Sequence, residues 1–198
     1  MLSKHSPFLI VVSAPSGCGK TTLLNQVVKQ LDGLSVSVSH TTRPQRSGEI
    51  DGVDYYFIDP DQFDSMKNNC DFIESAIVHN NYYGTSSTTI DSLLSTGSDV
   101  VMDIDVQGMQ HLRSVSQYDL VTIFIFPPSL EVLEDRLRKR NTDTGSVIAE
   151  RLENAAHEIS RSLDYDYFVI NDIIDNAVLD IISIIKAERL RSFRIEMN

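Results

Sequence analysis

The sequence predicts an α/β fold in which a mostly parallel β-sheet is flanked by helices. Four short runs dominated by apolar residues, typical of strands buried on both faces, carry this prediction: residues 8–12, 100–104, 120–126 and 167–170. Stretches with the three- and four-residue apolar spacing of helices alternate with these runs. Strands that alternate with helices are joined by crossover connections, and such connections produce a parallel sheet.

The predicted elements follow this alternation along the chain. A loop of small residues, 13–19, follows the first run, and the helix after it ends at Asp32-Gly33. Residues 127–129, Pro-Pro-Ser, predict the start of a helix after the third run, and another helix follows the fourth. The apolar positions that mark these helices are Leu23, Leu24, Val27, Val28 and Leu31; Leu130, Val132, Leu133 and Leu137; and Val178, Ile181, Ile182, Ile184 and Ile185.

Residues 35–89 have a different character from the rest of the chain. They are richer in hydroxyl groups, Asn and Tyr, and they alternate apolar with polar positions. This pattern is typical of strands with one solvated face, and it predicts a smaller, mixed insertion in the parallel sheet.

The composition excludes several classes of protein. The 198 residues suffice for one compact domain, and a hydrophobic content of 41% can form a sizeable core. Seventeen Lys and Arg against 28 Asp and Glu give a net charge of -11, which disfavours general binding to DNA or RNA. Two cysteines are too few for a disulfide framework, and the apolar runs are too short for a membrane span or a signal peptide. We therefore expect a protein of the reducing cytoplasm.

The strongest local signal is a motif that binds phosphate groups. It reads G-x-x-x-x-G-K-[ST] with alanine at the first position, follows a predicted buried strand and opens a helix. Its residues are Ala14, Pro15, Ser16, Gly17, Cys18, Gly19, Lys20 and Thr21. The glycines let successive N–H groups point at phosphate oxygens, and the helix N-terminus adds partial positive charge. Lys20 is expected to reach the β- and γ-phosphates, and the Thr21 hydroxyl to ligate Mg²⁺.

Cys18 allows two interpretations. Its position beside Lys20 and a helix N-terminus could lower the pKa of its thiol. The simpler interpretation, which we favour, is that Cys18 fills a variable position of the loop.

Two acidic residues lie at the end of the second apolar run, Asp103 within it and Asp105 directly after it. Asp103 ends an apolar strand, as does the Walker B carboxylate that holds magnesium through a water molecule. Asp105 begins a D-x-x-G sequence that ends at Gly108 and matches the element with which GTPases sense a γ-phosphate. This match is weak, because the chain contains no N-K-x-D element for reading guanine.

Two groups of basic residues stand out on this acidic chain. Arg43 and Arg46 lie three residues apart beside hydroxyl-bearing residues, and paired guanidinium groups suit a terminal phosphate. The second group follows the third apolar run and contains Arg136, Arg138, Lys139, Arg140 and Arg151. We interpret Arg138 and Lys139 as part of a solvated helix face.

In combination these motifs resemble the guanylate kinase family, bacterial type, from Ser13 to Asp172. Besides the phosphate loop, the resemblance rests on residues 37–43, 48–49, 54–55, 72–74, 81–85, 103–108, 127–129 and 169–172. It implies a P-loop NTPase-type parallel sheet with a small mixed α/β insertion that binds a nucleoside monophosphate, and a helical lid. The implied divisions are a core domain (1–38, 89–130 and 165–198), a GMP-binding domain (39–88) and a lid (131–164).

The resemblance also implies roles for individual residues. Arg43, Arg46, Tyr55 and Tyr83 would hold the GMP phosphate, and Tyr82 is assigned to packing. Ser39, Glu74, Thr85 and Asp105 would read guanine, with Thr85 where the family often has serine. Arg136, Arg140 and Arg151 would surround the transferring phosphoryl group, and Asn171 would lie near the ATP base. Asn141 stands where glycine often follows the arginine, and it should alter lid dynamics at most.

The chemistry of guanine agrees with the role of Glu74. Guanine presents two donors, N1–H and the 2-amino group, and one carboxylate can accept both. Adenine presents an acceptor at N1 and would leave that charge poorly paired, so a site of this kind can reject the wrong base by about 10⁴ or more.

The implied reaction is ATP + GMP ⇌ ADP + GDP with Mg²⁺, a step of purine nucleotide metabolism. A guanylate-kinase-like scaffold module is one alternative, but such modules commonly lack the phosphate loop. A kinase for another nucleoside monophosphate is disfavoured by Glu74, Ser39 and Thr85, and a GTPase by the missing N-K-x-D. The oligomeric state, monomer or homodimer, stays open.

Overall fold

The structure is a computed structural model, and it describes residues 2–78, 80–115, 118–139 and 145–197. Its strands are β1 (Leu2–His5), β2 (Leu9–Ser13), β3 (Leu34–Val36), β4 (His40–Thr41), β5 (Tyr56–Phe57), β6 (Phe72–Val78), β7 (Asn81–Ser86), β8 (Asp99–Asp103), β9 (Leu120–Phe126), β10 (Tyr167–Ile170) and β11 (Ile195–Met197). Its α-helices are α1 (Lys20–Gln30), α2 (Pro60–Asn68), α3 (Ser87–Ser95), α4 (Val106–Val115), α5 (Leu130–Lys139), α6 (Gly145–Ser160) and α7 (Ile174–Arg189), with short 3₁₀ helices at Ser162–Asp164 and Ser192–Arg194.

A parallel sheet of order β10-β9-β2-β8-β3 forms the centre of the molecule. The predicted strands at 120–126 and 167–170 are confirmed at the same bounds, and those at 8–12 and 100–104 are each shifted by one residue. β3 was not among the predicted strands, because its three residues include Ser35 and form no apolar run. All neighbouring strands of this sheet are parallel, so the parallel sheet predicted from the alternation of strands and helices is confirmed.

Alternate residues of β2 explain how the sheet is covered on both faces. Ile10 and Val12 pack into a core that α1 and α7 complete, whereas Leu9 and Val11 face a second core that includes residues of α3 and α4. All five residues of β2 are buried. Successive side chains of a strand point to opposite faces, so an unbroken apolar run fits a strand between two helical layers.

A second sheet, of order β5-β4-β7-β6, is built from residues of the region that the sequence predicts to be a mixed insertion. β4 pairs antiparallel with β7 and parallel with β5. Helix α2 covers this sheet through Phe63, whose ring stacks on Phe72 at 4.7 Å and on Tyr82 at 5.3 Å between centroids. Tyr82 is thus a packing residue, as predicted.

Helices α5 and α6 pack on each other through a small separate core. Leu133 and Leu137 of α5 contact Ile148 and Ala155 of α6 in one buried cluster. None of the helices in the described part of the chain combines the length and the apolar character that a bilayer-spanning segment requires.

The antiparallel ribbon of β1 and β11 has no counterpart among the predicted elements. Buried charges beneath it join the ends of the chain to the amino ends of the central strands. Asp99 is fully buried and accepts from His5 Nε2 (2.9 Å) and Arg189 Nε (2.7 Å). Arg194 pairs with both Asp119 and Glu188, and its guanidinium lies 4.2 Å from the centre of the Phe8 ring.

Candidate active site

The phosphate loop connects the carboxyl end of β2 to the first turn of α1. Gly17 and Gly19 have φ angles of 94° and 88°, in the left-handed region that glycine adopts without strain. A Cβ atom at Gly17 would lie 2.7 Å from Leu137 Cδ2, and one at Gly19 would lie 2.9 Å from Asn171 Nδ2. Both positions therefore require glycine for two reasons, the backbone angle and the space.

Asn171 supports this loop from beneath. Its side-chain Nδ2 donates to the carbonyl oxygen of Cys18 at 2.7 Å, and its backbone N–H donates to Phe126 O at 2.8 Å. Arg136 Nη2 donates to the carbonyl oxygen of Asn171 at 2.9 Å, which links α5 to the same point. The role of Asn171 at the ATP base stays a prediction, whereas its contact with the loop is direct.

Cys18 points away from the loop and into the core that α1 and α7 complete. Its side chain is fully buried, and its Sγ lies 3.7 Å from the carbonyl oxygen of Ile125. Burial raises the pKa of the Cys18 thiol to about 12 and outweighs the opposing effect of Arg136 and Lys20. The possibility that the loop activates this thiol is therefore wrong: Cys18 packs into the core, and its interpretation as a variable position of the loop stays a prediction.

Lys20 and Asp103 form an ion pair at the mouth of the loop. Lys20 Nζ lies 2.5 Å from Asp103 Oδ1, and both side chains are partly exposed. The pairing follows from the topology, because β2 and β8 are parallel neighbours and both end at this edge of the sheet. Thr21 is exposed in the first turn of α1, beside Lys20.

Glu158 of α6 is a site residue that the sequence analysis does not single out. Glu158 lines the cleft that the phosphate loop also lines, and its buried Oε2 atom has no hydrogen-bond partner among the described residues. Burial raises the pKa of Glu158 to about 7; the charge of Lys20 lowers it, and that of Asp105 raises it further. In sequence it is one of several acids on an amphipathic helix, so no local signal distinguishes it.

A cleft of about 450 Å³ brings most of the predicted residues together. Its lining includes all eight residues of the phosphate loop and, from the other predicted positions, Ser39, Arg43, Arg46, Tyr55, Glu74, Tyr83, Asp103, Asp105 and Arg151. A neighbouring pocket of about 370 Å³ shares Arg43, Arg46, Tyr83 and Arg151. Thr85 is fully buried behind the wall, and Arg140 and Asn141 lie outside the described residues.

Glu49 orders the arginine pair. Its Oε1 accepts from Arg43 Nη2 at 2.8 Å, and its Oε2 accepts from the backbone N–H of Arg46, also at 2.8 Å. The Arg43 guanidinium also lies 5.5 Å from the centre of the Tyr55 ring, and the Tyr55 and Tyr83 rings meet edge to face at 6.0 Å. The sequence predicts both arginines, but the carboxylate that positions them had no assigned role.

A chain of hydrogen bonds fixes Glu74 in the wall of the same cleft. Thr85 Oγ1 donates to Glu74 Oε1 at 2.8 Å and lies 3.0 Å from Ser39 Oγ. Glu74 is only 3% exposed. Burial raises the pKa of its carboxyl to about 7; the Thr85 hydroxyl lowers it, and the Asp105 charge raises it.

A phosphate-binding loop and a pair of arginines that line the same cleft suit a reaction between two phosphorylated substrates. The fold and this cleft define the class: a P-loop kinase with a nucleotide as acceptor. A family model described as guanylate kinase matches residues 6–188. The chain belongs to the guanylate kinase family, and it is an ATP-dependent nucleoside monophosphate kinase.

Relatives and solved structures agree with this membership. The guanylate kinase of Nitrobacter winogradskyi is 50% identical over 94% of this chain and 85% of its own length. That of Desulfotalea psychrophila is also 50% identical, over 94% of this chain and 92% of its own length. The crystal structure of guanylate kinase from Anaplasma phagocytophilum superposes with a TM-score of 0.81 at 32% identity, covering 98% of this chain and 92% of that one.

A gluconokinase from Sinorhizobium meliloti shows that the architecture is shared more widely. It covers 96% of this chain and 98% of its own with a TM-score of 0.55, at 14% sequence identity. Similarity of this degree concerns the fold alone.

Proposed function

We propose that the chain performs the reaction ATP + GMP ⇌ ADP + GDP with the phosphate loop on the donor and the second sheet on the acceptor. The observation that carries this division is one cleft lined both by the phosphate loop and by Glu74, a buried carboxylate with fixed hydrogen bonds. Phosphoryl transfer depends mostly on position and charge neutralisation, so the site needs no covalent intermediate.

The loop amides and Lys20 hold the phosphates of ATP in this proposal. The left-handed angles of Gly17 and Gly19 support it, because such a turn aims backbone N–H groups into the loop. Lys20 exchanges its contact with Asp103 for phosphate oxygens, on which charge develops during transfer. Asn171 keeps the loop in shape through the Cys18 carbonyl.

Glu74 reads guanine with the help of two hydroxyl groups. Thr85 donates to one oxygen of Glu74 and so fixes the direction in which the carboxylate faces the cleft. Ser39 Oγ extends the same chain to the cleft wall, and Asp105 lines the cleft beside it. The polar groups of this wall lose their partners when another base enters, which is the basis of rejection.

The GMP phosphate binds between the two arginines and the two tyrosines. Arg43, Arg46, Tyr55 and Tyr83 all line the cleft, and Glu49 accepts from the Arg43 guanidinium and from the backbone N–H of Arg46. Burial raises the pKa of Tyr55 to about 12, so this hydroxyl keeps its proton and can donate to a phosphate oxygen.

Thr21 and Asp103 fit a magnesium ion. They offer a hydroxyl and a carboxylate oxygen near Lys20, and Mg²⁺ prefers oxygen ligands. The described residues include no group of three or more His, Cys, Asp and Glu placed to hold a metal. An ion that is also bound by substrate phosphates needs only one or two protein oxygens. When bound, it neutralises charge on the phosphates.

Residues 131–164 act as the lid, residues 39–88 as the GMP-binding domain and the remainder as the core. Arg151 lines the cleft from α6, and Arg136 reaches the loop support from α5. With Arg140, these arginines surround the phosphoryl group and exclude water, which would otherwise hydrolyse ATP.

Both cysteines are free thiols, which suits a cytoplasmic location.

A coupled ADP-release assay with ATP and Mg²⁺ tests this proposal, with GMP, AMP, CMP and UMP added in turn. We expect release that depends on GMP and is weak with the other acceptors. Glu74→Gln should reduce the preference for GMP over AMP by about 10²-fold or more, because the amide presents a donor to guanine. An unchanged preference would remove Glu74 from base reading, and release without any acceptor would indicate an NTPase.

A further inference from the structure

Gly108, in the first turn of α4, lies directly against the carboxylate of Glu74. A Cβ atom built at Gly108 would lie 2.9 Å from Glu74 Oε2 and 3.2 Å from Asp105 Oδ1. The nearest of these contacts is tighter than real Cβ atoms tolerate. Since Thr85 holds the other oxygen of Glu74, a side chain at position 108 must push Oε2 away from its place.

Gly108 also holds the second acid of this wall. Its backbone N–H donates to Asp105 Oδ1 at 2.8 Å, and the next N–H, that of Met109, donates to Asp105 O at 3.0 Å. Asp105 thereby caps the N-terminus of α4 and is fixed on one side. The helix N-terminus carries partial positive charge, which favours both carboxylates at this point.

The residue type at this position runs against helix propensity. Glycine inside a helix costs about 1 kcal/mol relative to alanine, and no positive φ angle requires glycine at Gly108. The backbone would therefore accept alanine. What alanine would disturb is the far end of Glu74, a flexible side chain that can move without unfolding the helix.

We propose that Gly108 is a positioning residue for base selectivity: by lacking a side chain it lets α4 approach Glu74 and sets where both acids of the guanine wall stand. The inference rests on the proposed role of Glu74. It gives the D-x-x-G sequence at Asp105 a function other than γ-phosphate sensing, since here Gly108 contacts Glu74 and Asp105, the proposed readers of the acceptor base.

Gly108→Ala tests the inference through steady-state kinetics with GMP and with IMP, which lacks the 2-amino group. We expect KM for GMP to rise about tenfold and the preference for GMP over IMP to fall by a similar factor, because a small displacement of a positioned group has large effects. KM for ATP should change by less than about twofold, and the melting temperature should stay at or above that of the wild type. Gln107→Ala, an exposed change in the same helical turn, is the matched control.

A double-mutant cycle with Glu74→Ala separates this inference from the proposed function. Once the Glu74 carboxylate is removed, adding Gly108→Ala should change KM for GMP far less than it does in the wild type, because only the contact with Asp105 is left. If Glu74→Ala itself leaves GMP binding intact, the role of Glu74 in base reading is wrong. If Glu74→Ala weakens GMP binding but Gly108→Ala does not, only the positioning role is overturned. A Gly108→Ala protein that fails to fold would also overturn it, because packing would then explain the glycine.

Discussion

At the scale of single residues, the cleft contains two carboxyl groups that are held away from water. Burial raises the pKa of Glu74 and that of Glu158 to about 7. A carboxylate without a cationic partner is expensive to bury, and neither residue is needed to complete a core cluster. Such groups are expected where binding or catalysis, rather than folding, determines the residue type.

Glu74→Gln should stabilise the ligand-free protein in alkaline solution. The pKa of Glu74 is raised from 4.5 to about 7 on folding, so its contribution to stability falls as pH rises between those values and stays low above them. Removing the charge should increase the free energy of unfolding at pH 8 by up to about 3 kcal/mol, with little gain near pH 4.5. Urea unfolding at both pH values measures this, and the exposed Glu153→Gln is the control.

Lys20→Ala should lower kcat about 10²- to 10³-fold, since the ammonium group stabilises charge that develops on the transferring phosphoryl group. The ADP-release assay measures this. Lys29→Ala, an exposed change in the last turn of the same helix, should leave turnover unaltered. Turnover near the wild-type value in Lys20→Ala would contradict the assigned role.

At the scale of elements, the phosphate loop is shaped by helix α5 and by the segment after β10, in addition to α1. Gly17 lies against Leu137 of α5, and Asn171, just after β10, bonds to the loop carbonyl of Cys18. Because α5 belongs to the proposed lid, the loop and the lid share a packed contact. We therefore expect movement of α5 to change the shape of the loop through Leu137.

Gly17→Ala should damage both the loop and its contact with α5. The new Cβ adds left-handed backbone strain, about 1–2 kcal/mol, to a 2.7 Å clash with Leu137. We expect KM for ATP to rise at least about tenfold, together with a lower melting temperature. Gly33→Ala is the matched control, since it has a φ angle of 72° but only an ordinary 3.5 Å contact. It should lose stability alone, and equal kinetic effects would contradict the coupling.

At the scale of the whole molecule, the carboxyl ends and the amino ends of the central strands have different functions. The carboxyl ends of β2 and β8 carry the phosphate loop and Asp103. Charges near the amino ends of β8 and β9, on the buried Asp99 and the exposed Asp119, tie the chain termini down. Nucleotides must be attracted by the arginines of the cleft, because the molecule as a whole carries a charge of -11.

Arg194→Met should destabilise the protein without changing its kinetics. Burial raises the pKa of Glu188, but hydrogen bonds from Tyr167, Arg194 and Arg191 outweigh this effect and hold it below its ordinary value. Without Arg194, the buried Glu188 carboxylate loses its closest cation, which should lower the free energy of unfolding by about 3 kcal/mol. Arg191→Met removes a half-exposed partner of the same carboxylate and should cost less than about 1 kcal/mol.

Urea unfolding at pH 7 distinguishes the two variants, and both should keep the wild-type KM for GMP and ATP because the network lies at the edge opposite the cleft. The stabilisation by Glu188 should begin to decline as the pH falls below about 4.5 and disappear once the pH lies below the lowered pKa of the folded state, where the carboxyl is protonated. A large kinetic change in Arg194→Met would contradict this separation of tasks.

The sequence by itself determined the parallel sheet, the phosphate loop and the family. Those signals are local: an apolar run, a helical spacing or a glycine motif is complete within a few residues. It also singled out Arg43, Arg46 and Glu74, but not the hydrogen bonds that orient them.

Only the tertiary structure decided what depends on burial and on contacts between distant segments. The burial of Cys18, the Glu158 Oε2 atom that no described residue bonds and the contact of Gly108 with Glu74 all arise where separate elements meet. The ribbon of β1 and β11 joins the two ends of the chain and leaves no apolar run to detect. Desolvation and close approach belong to the packed molecule, so a pattern of residue types along the chain does not encode them locally.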